Sequence, residues 1–129
     1  MKAHDFSGTH KIDNAADLER IILTARFGDG RNEVLLWHDD HEYPVLSILL
    51  KDSLAALHYV PCDGDAGFAS IAENLGLEPG EMTTFATGNI GEEIQVSNRA
   101  IVSLPTAAAV AREFFHSKEL PRSVEWIKL

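Results

Sequence analysis

Apolar residues recur along this chain with two different periods. Between residues 14 and 25 the period is helical: Leu18, Ile21, Ile22 and Ala25 share one face, and Asp17, Glu19, Arg20 and Thr24 take the other. Asn14, three residues ahead of Asp17, supplies a helix-start signal, so the spacing predicts an amphipathic helix over residues 15–25, stopped by Gly28-Asp29-Gly30. Three short apolar runs follow at 33–37, 44–50 and 54–60, separated by polar turns, and their lengths suit strands. They predict an antiparallel meander. The middle run, Val45-Leu46-Ser47-Ile48-Leu49-Leu50, is apolar at nearly every position, which predicts a central strand with both faces at least partly covered. Lys51-Asp52-Ser53 is then a tight turn.

The pattern loosens between residues 61 and 80. Asp63-Gly64-Asp65 and Gly67 are turn chemistry, and residues 69–75 read as two turns of helix ended by Gly76. Residues 82–86, 92–96 and 100–102 predict further strands that extend the sheet at its edges, with Thr87-Gly88-Asn89-Ile90-Gly91 as the turn between the first two. Ser103 with Pro105 opens a second helix, whose buried stripe is Ala107, Val110, Ala111, Phe114 and Phe115. From 123 to 128, Val124 and Trp126 alternate with Glu125 and Ile127, which predicts a last strand. The fold class is α+β, a mainly antiparallel sheet with two principal helices in a single domain spanning residues 1–129.

Composition leaves that picture in place: 129 residues, 45% of them hydrophobic, are enough for one core without staples. No apolar run approaches the roughly 20 residues a membrane span needs, and the first residues lack an apolar stretch of signal-peptide length, so the expected location is cytoplasmic. Cys62 is the only cysteine, which excludes an intrachain disulfide and a multi-cysteine zinc site. Charge does change the picture. The formal net charge is −9, and no Lys or Arg occurs from residue 52 to residue 98, where Asp52, Asp63, Asp65, Glu73, Glu78, Glu81, Glu92 and Glu93 all fall. Such a chain is repelled by nucleic acid and by anionic membranes, and a basic protein is its natural partner.

The sequence offers few catalytic constellations. His38-Asp39-Asp40-His41 has the atoms for a divalent cation, but it sits between two predicted strands, where neighbouring side chains diverge, and no third ligand follows at a recognised spacing. It reads as a solvated hairpin turn. Asp63-Gly64-Asp65 lacks the further acids of a calcium loop. Cys62 with His58 makes a poor nucleophile and base, being interrupted by Pro61, and Cys62 is read as a small apolar residue. Trp37, Trp126, Phe114 and Phe115 are read as core aromatics.

Particular residues carry a resemblance over nearly the whole chain. These are Asp13 with Leu18 and Ile21; Val34-Leu35-Leu36-Trp37 followed by Pro44-Val45-Leu46-Ser47-Ile48; Ala55-Ala56-Leu57-His58-Tyr59; and Thr83-Thr84-Phe85 before Gly88. The end is the most telling: Val102-Ser103, an Ala-rich helix closing in Arg112-Glu113-Phe114-Phe115, then Leu120-Pro121 and Val124-Glu125-Trp126. The chain resembles the first of the numbered immunity families of bacterial polymorphic toxin systems, whose members include the inhibitor of a double-stranded-DNA cytidine deaminase toxin. The resemblance implies an α+β domain that binds one toxin, of the deaminase or nuclease kind, with no cofactor and no catalysis. Its motifs are mostly core and turn residues, so they assign no partner contact.

The expected binding residues therefore rest on charge. The segment from residue 62 to residue 93 is expected to present Asp63, Asp65, Glu73, Glu78 and Glu81 to a basic toxin groove and block substrate entry, with Phe68, Met82 and Phe85 as desolvated anchors. The alternatives are a small metal-dependent enzyme centred on His38, Asp39, His41 and His58, or a small-molecule-binding or assembly module.

Overall fold

The computed structural model describes residues 1–88 and 92–129. Strands β3 (Arg31–Trp37), β4 (Val45–Lys51) and β5 (Leu54–Val60) form the expected antiparallel meander, in continuous register from Arg31 opposite Lys51 to Val45 opposite Val60. Two strands that the hydrophobic pattern does not reveal, β1 (Lys2–Asp5) and β2 (Gly8–Lys11), extend the sheet beyond β3. On the other side, β5 shares its free edge between β9 (Ile101–Ser103) and β6 (Phe68–Ser70), and β10 (Trp126–Lys128) closes that flank. At the changeover the buried Ser70 hydroxyl accepts from Leu57 N–H at 3.1 Å and donates to the Ala100 carbonyl at 2.8 Å, which satisfies both backbone groups. In the order β10-β6-β5-β4-β3-β1-β2 the apolar run of β4 lies at the centre, as expected.

Helices α1 (Ala15–Thr24) and α2 (Leu104–Ser117) pack against each other and cover one face of this sheet, here called the inner face. Every second strand residue points at them: Val34 and Leu36, Leu46, Ile48 and Leu50, Leu57 and Tyr59 meet Leu18, Ile22, Val110 and Phe114. The caps are local. Asn14 accepts from Asp17 N–H at 2.9 Å, and Ser103 accepts from Thr106 N–H at 3.3 Å with Pro105 in the first turn. Helix α1 stops earlier than the glycines suggested, because the Arg26 guanidinium turns back to the Ile22 and Ala25 carbonyls and also donates to the Asp52 carbonyl. Gly28 and Gly30, both at positive φ, instead turn the chain into β3, and a side chain at Gly30 would collide with Asp52.

Two expectations fail. Residues 69–75 are not helical: Ser70 ends β6, and the backbone beyond it bonds across to Glu125, Arg99 and Ile101. Those long-range partners satisfy the N–H groups that a helix would have used, and Ile71 and Leu75 stay exposed without a face to bury. The strand expected at 100–102 joins the sheet as β9, but those expected at 82–86 and 92–96 do not. Strands β7 (Met82–Ala86) and β8 (Glu93–Ser97) pair only with each other, as a hairpin laid on the outer face, where Phe85 packs on Ala56 and Ile101. Of the turn expected at 87–91, residues 89–91 lie outside the described residues.

Candidate functional site

The hairpin covers only half of the outer face. Directly opposed residues on paired strands share a face, so the register sorts that face into rows. Glu33, Leu49 and Ala56 form a row beneath the hairpin. The next row, His4, Leu35, Ser47, His58, Ala69 and Ile127, runs across six strands, and beyond it Lys2, Trp37, Val45 and Val60 form another. Leu35, Trp37, Val45, Ser47, His58 and Val60 are all half-buried, on the face of the sheet away from the helices. The alternation makes this inevitable: a strand that buries Leu36 or Leu46 inward must point Leu35, Trp37 and Val45 outward. Trp37 is thus on the outer face, correcting its reading as a core aromatic, whereas Trp126 packs on the inner-face core and donates its Nε1–H to the Pro121 carbonyl at 2.7 Å.

Where the hairpin overhangs the middle row, Ile94 and Val96 form one wall and Leu129 the other wall of a groove of about 360 Å³, floored by Ser47, Leu49, Ala56, His58 and Ala69. Ile94 is 43%, Ile127 55% and Leu129 58% exposed. Together these side chains make an apolar stretch along the groove. His58 is fixed as part of the floor, its Nε2–H donating to the Ala66 carbonyl at 2.8 Å. Gly67 lies under that ring at positive φ, where a Cβ would come within 2.9 Å of Nε2.

The acidic residues singled out from the sequence fall into two groups that the fold keeps apart. Asp63 and Asp65 are in the loop after Val60, while Glu73 bonds through its backbone N–H to Ile101, which pairs with Ala56 near the opposite end of β5. The seven residues of β5 separate the two ends by about 20 Å. Glu73 is moreover used by the fold: its carboxylate accepts from Ser103 N–H at 2.8 Å at the start of α2, and although burial alone would raise its pKa, this bond with those from Thr106 and Ser103 holds it below the ordinary value. Glu78 and Glu81 are exposed on the irregular segment before β7, and Met82 beside them is 56% exposed. Phe85 is fully buried and so unavailable as an anchor, and Phe68 lies inward against the main core, with Lys128 over its ring.

Joining the Asp63 end of β5 is a loop that the one-sign segment does not contain. Residues 38–44 connect β3 to β4 beside residues 61–67 and carry Asp39, Asp40 and Glu42. Asp39 contacts the Met1 amine at 3.2 Å, and that hydrogen bond lowers its pKa. Among the described residues no ion pair uses Asp40, Glu42, Asp63, Glu78 or Glu81, whereas Glu93 is paired with Arg31. His38 points the other way, into the core, with its Nε2–H on the Phe114 carbonyl at 3.1 Å, and burial pushes its pKa down. Among the described residues no three His, Cys, Asp or Glu converge as ligands for a cation. Cys62 is exposed. No helix of the described residues is long and apolar enough to cross a membrane.

This arrangement has the anatomy of a protein-binding surface, apolar at its centre and charged at its rim. The model of the family described as Immunity protein Imm1 matches residues 7–128. The double-stranded DNA deaminase immunity protein of Burkholderia cenocepacia (strain H111) is 27% identical over 129 residues, spanning 100% of both chains.

Proposed function

The chain belongs to the Imm1 family of immunity proteins, which neutralise cognate bacterial toxins, and from that premise we propose that its own target is a deaminase toxin whose active site it blocks. The match across residues 7–128 carries this reading, and the full-length likeness to a DNA deaminase immunity protein points to the deaminase class. Physical chemistry supports it. A deaminase that works on DNA must hold a polyanion and take a base out of the stack, which requires basic side chains around its pocket. An inhibitor with a net charge of −9 meets such a rim with complementary charge.

Asp63, Asp65, Glu73, Glu78 and Glu81 then act at long range, steering association, while affinity comes from desolvated apolar contacts. No catalytic step is involved. Inhibition by occupancy needs only a complex that outlasts the toxin's encounters with DNA in the cytoplasm of the producing cell.

Co-expression tests the reading. The toxin domain encoded beside this chain should kill a sensitive host alone and be tolerated when this chain is present, and the purified pair should show no deamination of a cytosine-containing DNA duplex. Continued killing and unimpeded deamination at excess of this chain would refute it.

A further inference from the structure

We propose that the toxin docks on the uncovered half of the outer sheet face, over Leu35, Trp37, Val45 and Val60 and into the groove beneath Ile94, and that it seats there a basic segment carrying a projecting apolar side chain. This rests on the toxin-neutralising reading above and says where on the chain it is carried out.

Three observations support it. The face is apolar and open: the four side chains stand half-buried on paired strands, and the adjoining groove of about 360 Å³ is wide enough to take a side chain from outside. The paired strands fix these positions in advance, so little ordering is lost on binding. The irregular segment at residues 71–81 is also acidic, but it holds its exposed Ile71 and Leu75 beside Arg99, a cation that disfavours a basic partner.

Charge gives the second and third observations. At the Val60 end, the loops 38–44 and 61–67 put Asp40, Glu42 and Asp63 at the rim, none of them in an ion pair among the described residues. Across the groove Glu33 supplies another carboxylate, which accepts from Gly88 N–H at 2.9 Å. Of the cations on this face, Lys2 and Lys11 lie on the β1–β2 flank, with Lys2 opposite Trp37, while Arg31 and Lys51 share the end row beyond Glu33 and Leu49, away from Val60, where Arg31 is paired with Asp29 and Glu93. A ligand with an apolar tip and cationic shoulders matches this layout over β4 and β5, and an acidic ligand does not.

The experiment measures association of the full chain with the adjacent toxin domain by surface-immobilised kinetics. Ile94→Lys and Val60→Lys should each weaken binding about 100-fold, mainly through faster dissociation, with far-ultraviolet circular dichroism unchanged. The triple variant Asp40→Asn, Glu42→Gln, Asp63→Asn, confined to exposed loop side chains, should slow association about tenfold at low salt and flatten its salt dependence. Glu78→Gln, Glu81→Gln and Met82→Ala together should change affinity less than about threefold. Folded face variants that bind like the parent, or a larger loss from the 78–82 set, would overturn the docking surface and leave the immunity reading standing. A parent chain that neither binds nor protects would take down both.

Discussion

The two faces of the large sheet are built from the same strands, yet they do different work. On the inner face Val34, Leu36, Leu46, Ile48 and Leu50 are fully buried beneath two helices. On the outer face their immediate neighbours Leu35, Trp37, Val45 and Ser47 stay half-buried, and only the β7–β8 hairpin covers part of the area. A strand cannot choose the composition of one face by altering the other, because alternate positions are independent. The inner face therefore carries stability and the outer face is free to carry recognition.

The contrast breaks if an inner-face truncation is tolerated. Phe114→Ala removes the largest side chain of α2 from a site with no exposure and should lower unfolding free energy by about 3–5 kcal/mol, seen as a fall in urea midpoint. Next in size is a polar contact on the same side of the sheet. Asp5 is buried and accepts from Ser7 N–H and Oγ–H, with His10 at 3.1 Å and Asn32 at 3.3 Å. Asp5→Ala should cost about 2–3 kcal/mol by leaving Asn32 short of a partner.

Acid should act on this side too. Burial lowers the pKa of His38 below 6.5, so the unfolded chain takes up the proton first, and stability present above pH 6.5 is lost as the pH falls toward the depressed value. For Asp5, burial alone would raise the pKa, but the hydrogen bonds from Ser7, His10 and Asn32 outweigh it and bring it below 3.8, so that contribution is lost only as the pH falls below 3.8. Thermal melts across pH should show an upper decline from His38 and a lower one that Asp5 shares with Asp39, Glu73 and Glu113, and His38→Gln should remove the upper one alone. The smallest effect belongs to the outer face: Trp37→Ala should shift stability by less than about 1.5 kcal/mol while weakening toxin binding by more than tenfold, separating the faces by the ratio of the two effects.

Much of this fold was legible because it is regular. The meander at β3, β4 and β5, the start of α1 at Ala15 and the whole of β7 follow from periods that the sequence states plainly. Strands β1 and β2 were hidden: one buried position is the charged Asp5, and Gly8 and Thr9 carry no apolar signal. The placement of β7 and β8 was hidden for a different reason, since a hairpin that buries Phe85 on a sheet face and one that extends a sheet edge have the same alternation. The proposed binding residues were least legible. Asp63 and Glu73 are ten positions apart in sequence but belong to opposite ends of β5, and Asp40 and Glu42, outside the cation-free segment, stand beside Asp63 only because β4 pairs with β5. Charge counted along a chain does not predict charge summed over a surface.

The two tryptophans give this contrast an optical form. Trp126 is held in the helix-covered core with its indole N–H on Pro121, and Trp37 stands on the opposite face among the proposed contacts. Denaturation should red-shift emission from both, but a partner arriving on the sheet would alter the fluorophore at position 37 and leave the one at position 126 in place. With Trp126→Phe as background, the protein becomes its own titration probe and needs no added label.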